Sequence, residues 1–166
     1  MQLTRFTDYA LRVLIFLANR QDRRATINDV SEAHGISQHH LTKVVHRLSK
    51  LGYLRAVRGK GGGIRSALPP SEISIGKVIR NIEPLTPAEC FVPRYAGQCI
   101  LYPNCALRRA LQSAQSHFLK TLDAYTVADA VPRESWRSAK RRHQITRASG
   151  RHITLRPRSK GRTRDA

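Results

Sequence analysis

The stretch TINDVSEAHGISQHHLTKVVHRLSKLGYLRAVRGKGGGIRSAL, residues 26–68, decides the fold. Thr26 stands three residues before Asp29, the spacing of a capping box, and opens a helix with Ile27, Val30 and Ala33 on its buried side. His34-Gly35 ends it, because glycine enters the left-handed conformation without a Cβ penalty. Ser37 caps the next helix. Leu41, Val44, Val45, Leu48 and Leu51 recur there at helical intervals and must face inward. That leaves Gln38, His39, Thr42, Lys43, His46, Arg47 and Lys50 mostly outside, and Gly52 stops the helix. Two helices around a short glycine-containing turn, the second with a polar, basic outer face, form a helix-turn-helix.

Two strand-like runs follow, Tyr53 to Val57 and Ile64 to Leu68, around a glycine-rich turn. They predict a β-hairpin whose tip is made cationic by Arg58, Lys60 and Arg65. A hairpin directly after the second of these helices is the wing of a winged helix. The run GKGGG is not a phosphate loop, since its lysine precedes the glycines and a strand, not a helix, follows.

On the N-terminal side, Phe6, Tyr9, Ala10, Val13, Leu14, Phe16 and Leu17 place a helix over 5–19, with Asp8 and Arg12 on one side of it. Residues 21–24 form a polar connector. On the C-terminal side, Pro69-Pro70 breaks the hairpin, and Ser74 caps a short helix with Ile75, Val78, Ile79 and Ile82. Residues 84–104 predict an irregular loop, long enough that a bound cofactor is expected to order it. A long helix is predicted from about Cys105 to Asp129, striped by Leu107, Ala110, Leu111, Ala114, Phe118, Leu122 and Tyr125. At about 1.5 Å per residue it would run on the order of 35 Å. The body in front is too small to bury it, so a second copy is expected to cover it as a homodimer. Beyond Pro132 periodicity ends and charge is dense, so disorder is expected.

The expected architecture is mainly α with a small β-hairpin wing: a winged helix-turn-helix plus a long C-terminal dimerisation helix. The expected organisation is residues 1–83 as DNA-binding domain, 84–131 as cysteine-containing loop and dimerisation helix, and 132–166 as basic tail. The net charge is +19, and residues 133–166 hold 12 Lys/Arg against 2 Asp/Glu. Both parts are basic, which favours a polyanionic partner, here double-stranded DNA. No apolar run reaches the roughly 18 residues of a membrane span, and no cleavage site follows the apolar VLIFLA near the start. The chain is therefore expected in the cytoplasm, where clustered thiols bind metal or sense redox state more often than they form structural disulfides.

Cys90, Cys99 and Cys105 are the only cysteines in the chain. Their spacing matches neither zinc ribbons nor ferredoxin runs. Three thiolates can hold an iron–sulfur cluster or zinc, each normally wanting a fourth ligand, for which Asp8, Glu83, Glu89 and His117 are candidates. A thiol–disulfide switch is the third possibility. A cysteine-nucleophile enzyme is not supported: His34, His39, His40 and His46 belong to the reading segment, and no oxyanion turn adjoins a cysteine.

The opening MQLTRFTDYALR, the segment GISQHHLTKVVHRLSKLGYL, the wing VRGKGGGI and the downstream IGKVIRNIEPL resemble the Rrf-type winged-helix transcriptional regulators, over about residues 1–131. The resemblance is closest to that family's nitric-oxide-sensing iron–sulfur repressors. It implies a homodimer with a 2Fe-2S or 4Fe-4S cluster in each subunit, bound by Cys90, Cys99 and Cys105. It also implies that Asp8 of the partner subunit completes the ligand set. Cluster-assembly regulators of the family use a histidine three residues after the last cysteine, where this chain has Arg108. The eight-residue gap between Cys90 and Cys99 is longer than the familiar spacing.

Repression would then hold while the cluster is intact, and DNA would be released when nitric oxide nitrosylates or removes it. Alternatives are a cluster-free, zinc or thiol-redox regulator, or an iron–sulfur-status regulator of the same family. Ser37, Gln38, His39 and His40 at the start of the reading helix are expected near base edges. Lys43 and Arg47 are expected on phosphates, and Arg58, Lys60 and Arg65 of the wing in the minor groove or along the backbone.

Overall fold

The computed structural model describes residues 2–20, 24–57, 59, 62–95 and 97–131. Arg58, Lys60 and the tail 132–166 lie outside the described residues.

Helix α1 spans Arg5–Ala18, capped by Thr4, whose hydroxyl accepts from the Thr7 N–H. Strand β1, Arg24–Ala25, leads to α2, Ile27–His34. Both halves of the Thr26–Asp29 capping box are present, and Gly35 closes α2 at φ 65°, ψ 33°. Helix α3 spans Gln38–Lys50, and β2 (Leu54–Val57) and β3 (Gly63–Ser66) form the hairpin. Ser74 caps α4, Ile75–Ile82, and Cys105 caps α5, Ala106–Asp123.

The core sits where α1 meets α2, α3, α4 and β3. Ala10, Val13, Leu14 and Leu17 of α1 are buried against Leu41, Val44 and Leu48 of α3 and Val78 and Ile79 of α4. Each fully buried Leu, Ile or Val side chain contributes about 1.5–3 kcal/mol. The apolar periodicity of α3 is thus a core signal, and it turns the opposite, basic face outward.

The hairpin is joined by a strand that the polar composition of 21–24 did not announce. Strand β3 lies between β1 and β2, antiparallel to both, with Ala25 opposite Ile64 and Ala56 opposite Ile64. Gly63 makes the β1 contact possible: a Cβ there would lie 2.5 Å from the Ala25 carbonyl oxygen.

Helix α5 is shorter than the stripe predicted and ends at Asp123. The chain then turns back along residues 70–75. The Ile75 N–H donates to the Tyr125 carbonyl (2.9 Å), and the Val127 N–H donates to the Ile73 carbonyl (2.9 Å). Asp129 fixes this turn by accepting from the Thr126 N–H (2.8 Å) and hydroxyl (2.7 Å). Leu119, outside the predicted stripe, is the buried residue of α5, while Leu107 and Tyr125 of that stripe are exposed. Gly76 of α4 seats the end of α5, and Arg80 one turn later pairs with Asp123.

Candidate functional site

Two groups of residues carry the candidate chemistry. The first is the outward face of α3 with the wing. Ser37 accepts from the His40 N–H and so caps the helix. Gln38 donates to Asn28 Oδ1 (2.8 Å), and Asn28 donates to Glu32 Oε1 (2.8 Å), which ties the start of α3 to α2. His39, His40 and Lys43 are exposed, with His40 beside Tyr9 of α1 at 6.3 Å between ring centroids. Arg47 is exposed too, but its guanidinium donates to the Asn81 carbonyl at the end of α4 (2.8 Å). Arg65 is exposed on β3.

Two groups of α2 are shifted from their ordinary values. Asp29 is held below the ordinary carboxylate value, chiefly by the Thr26 backbone N–H donating to it. Burial holds the His34 imidazole below its ordinary value, with Arg12 adding to this and Asp8 opposing it.

The second group is the cysteine loop. Single 3-10 turns at Glu89–Phe91 and Pro93–Tyr95 interrupt what was expected to be irregular backbone. Cys90 and Cys105 are half-buried, Cys99 is exposed, and all three are free thiols. Among the described residues no three His, Cys, Asp or Glu side chains lie close enough together to hold a metal ion. Gathering these thiols on one centre therefore requires the loop to rearrange.

Cys105 Sγ accepts from the Arg108 N–H at 3.4 Å, at the end of α5 where the helix presents partial positive charge. The Arg108 guanidinium stands between two aromatic rings, 5.1 Å from the Phe91 centroid and 5.8 Å from that of Tyr102. These rings flank Cys90 on one side and lie between Cys99 and Cys105 on the other. Arg108 Nε is buried and makes no hydrogen bond among the described residues. Three soft sulfur donors in one loop, together with a buried cationic N–H that has no hydrogen-bond partner among the described residues, suit an anionic sulfur-rich centre. In kind, though not in this loop conformation, the residues fit an iron–sulfur cluster. The sequence contained one signal for Arg108, its spacing three residues after Cys105 at a helix start.

The candidate fourth ligands are variously engaged. Asp8 pairs with Arg12 Nε at 3.0 Å. Glu83 accepts from the Thr4 N–H (3.1 Å), the Thr4 hydroxyl (2.9 Å) and the Thr7 hydroxyl, so it closes the start of α1. His117 Nδ1 lies 2.8 Å from the Ser113 carbonyl of its own helix, and Glu89 is exposed. Among the described residues no helix is long and apolar enough to cross a membrane.

Comparison with known proteins places this arrangement. The profile of the Rrf2 family, described as an iron-dependent transcriptional regulator, matches residues 3–133. The chain is 50% identical over 133 residues to the HTH-type transcriptional regulator NsrR of Geobacillus kaustophilus (strain HTA426), covering 79% of this chain and 90% of that protein. Among solved structures, CymR (YrzC), described as the global cysteine regulator of B. subtilis, matches with a TM-score of 0.64 at 23% identity. That match covers 78% of this chain and 95% of CymR. IscR of T. potens matches with a TM-score of 0.62 at 21% identity, over 78% of this chain and 85% of IscR. These two likenesses establish a shared winged-helix fold. With the family profile spanning well over half of its length, the chain belongs to the Rrf2 family of transcriptional regulators.

Proposed function

We propose that this transcriptional regulator is a cytoplasmic, homodimeric, DNA-binding repressor that senses nitric oxide through an iron–sulfur cluster, 2Fe-2S or 4Fe-4S. Cys90, Cys99 and Cys105 hold the cluster, and Asp8 of the partner subunit completes the set. The observation that carries the reading is the confinement of every thiol to the segment between α4 and the first residue of α5, in a chain 50% identical to a protein named NsrR. Bound there, the cluster supplies iron that reacts with nitric oxide. The protein's own part is positional. Cys105 anchors one end of the loop to α5, Arg108 bridges its two sides, and Glu83 joins its beginning to the helix that carries Asp8.

The outer face of α3 is the reading surface in this proposal, with Ser37, Gln38, His39 and His40 nearest the bases. Lys43, Arg47 and the wing residues Arg58, Lys60 and Arg65 lie along phosphates. A second copy covers exposed apolar side chains along α5 and the loop before it, Ile100, Leu101, Leu107 and Tyr125 among them. The test is anaerobic purification with visible spectroscopy and iron and sulfide analysis, before and after nitric oxide. A brown protein that bleaches and releases promoter DNA is expected. Cys99→Ala is expected to be colourless and to bind DNA weakly. Equal anaerobic binding by this variant and the wild type overturns the coupling.

The exposed Cys99 and the ungathered thiols favour one second reading, a regulator that uses zinc or thiol oxidation. A colourless, sulfide-free wild type whose DNA binding responds to oxidant would establish it.

A further inference from the structure

His39, Lys43, His46 and Lys50 of α3 stand at i, i+4, i+7 and i+11, so they lie along one stripe of the helix. All four are exposed, on the side opposite the buried Leu41, Val44, Val45 and Leu48. At about 1.5 Å per residue the stripe is about 16 Å long. The two lysines are permanent cations, whereas a histidine changes charge between about pH 5 and 8. Protonation of both histidines therefore takes the stripe from two charges to four.

The fold gives these imidazoles no anion. Among the described residues neither His39 nor His46 makes a hydrogen bond or an ion pair, and His39 meets the His40 ring at 6.1 Å between centroids. Helices α1 and α2 and strand β2 pack against α3, and α4 reaches it through Asn81. Their carboxylates are engaged elsewhere: Asp8 with Arg12, Asp29 with Thr26, Glu32 with Asn28, and Glu83 with Thr4 and Thr7. The remaining titratable or charged groups there are Arg5 and Tyr9 on α1, the half-buried His34 on α2, Arg55 on β2, and Lys77 and Arg80 on α4. On α3 itself His40 and Arg47 stand beside the stripe. None of these is an anion, so a polyanion brought to this face is the partner that favours charged imidazoles.

We propose that His39 and His46 make DNA binding proton-linked, so that the reading helix takes up protons as it meets the duplex and the repressor holds DNA more tightly in mild acid. The proposal rests on the DNA-binding reading above. A neighbouring phosphate favours the imidazolium over the neutral ring. The complex therefore binds more protons than the free protein, and affinity rises as pH falls. No base contact is needed, because any charge that neutralises a phosphate releases counterions.

The experiment uses the anaerobically purified full chain and a fluorescent mixed-sequence DNA duplex. Anisotropy titrations are run at several KCl concentrations, at about pH 8 and about pH 6. The variants are His39→Gln/His46→Gln and His39→Lys/His46→Lys. Each neutralised phosphate contributes about 0.9 to the slope of log affinity against log salt, so the two histidines should steepen the wild-type slope by about 1.8 at the lower pH. Between about 50 and 200 mM salt the wild type should then lose about 12-fold more affinity at the lower pH than at the higher. The glutamine variant, whatever its affinity at the higher pH, should lack this increment. The lysine variant should carry the steeper slope at both pH values.

Equal pH increments in the wild type and the glutamine variant overturn the proposal and leave the DNA reading standing. A lysine variant whose slope at the higher pH is no steeper than the wild type's shows that charge at these positions meets no phosphate, and overturns it too. A wild type that binds no duplex at either pH in low salt overturns the DNA reading, and this proposal with it.

Discussion

Glu83→Ala removes the acceptor that closes the start of α1, and the structure sets the size of the effect. The carboxylate serves Thr4 N–H, Thr4 hydroxyl and Thr7 hydroxyl. Thr7 is 0% exposed, so water cannot replace its acceptor; only Thr4 Oγ1, at 3.2 Å, remains near. A hydrogen bond to a charged group contributes about 1.5–3 kcal/mol. The Thr4 groups face solvent and add a few tenths. Removing a negative charge from a helix N-terminus costs a further 0.3–1 kcal/mol or so. The expected loss is therefore about 2–4 kcal/mol for Glu83→Ala and about 1–2 kcal/mol for Glu83→Gln, which retains one carbonyl acceptor. For a domain of this size that lowers the melting temperature by about 4 °C per kcal/mol. Urea unfolding of the full chain, followed by far-UV circular dichroism, measures the loss. Repeating it with Thr7→Val isolates the pair, and a coupling of at least about 1 kcal/mol is expected. A Glu83→Ala loss under about 0.5 kcal/mol, or additive effects of the two changes, would refute the reasoning. The pair links the residue before Pro84, where the cysteine loop begins, to the turn of α1 that carries Asp8.

Gly76→Ala should destabilise by about 1–3 kcal/mol despite alanine's better helix propensity, because the new Cβ would lie 2.8 Å from the Asp123 backbone nitrogen; a variant that unfolds at higher urea than the wild type would contradict this. Asp123, Asp129 and Asp29 are all held below the ordinary value, by Arg80, by Thr126 and by the Thr26 backbone N–H respectively. The unfolded chain therefore binds protons first as pH falls, so this stabilisation is intact above about pH 4 and is lost as pH drops through the folded values. Urea midpoints should decline gently below about pH 6.5, where the unfolded chain protonates His34 first, and fall more steeply below about 4, with Asp123→Asn reducing the steeper fall. Arg108→Leu should speed hydrogen exchange in residues 90–105 of the metal-free chain several-fold, since it removes both ring contacts; unchanged exchange would show that the guanidinium does not brace the loop.

What could be read before folding was whatever short-range chemistry encodes. Thr26 with Asp29, the left-handed Gly35, the Ser37 cap and the apolar period of α3 are interactions within a few residues, and each recurs in the structure. The winged helix followed from them because one buried face on α3 obliges the opposite face to be the basic one. The family resemblance was legible for the same reason, in contiguous segments. The tertiary structure decided everything that depends on partners far along the chain. Strand β1 is two residues long and carries no local signal; it exists because Gly63 lets β3 approach the Ala25 carbonyl. Helix α5 stops early because residues 125–128 find backbone partners at 70–75, and Gly76 of α4 lets its last residue, Asp123, come close. Packing also sets the Asn81 carbonyl beside Arg47 and Thr4 and Thr7 beside Glu83, contacts that no local pattern announces. Sheet register is the clearest case: Arg24, Arg55 and Arg65 are spread over 42 positions of sequence, and only long-range strand pairing sets Arg65 opposite both of the others.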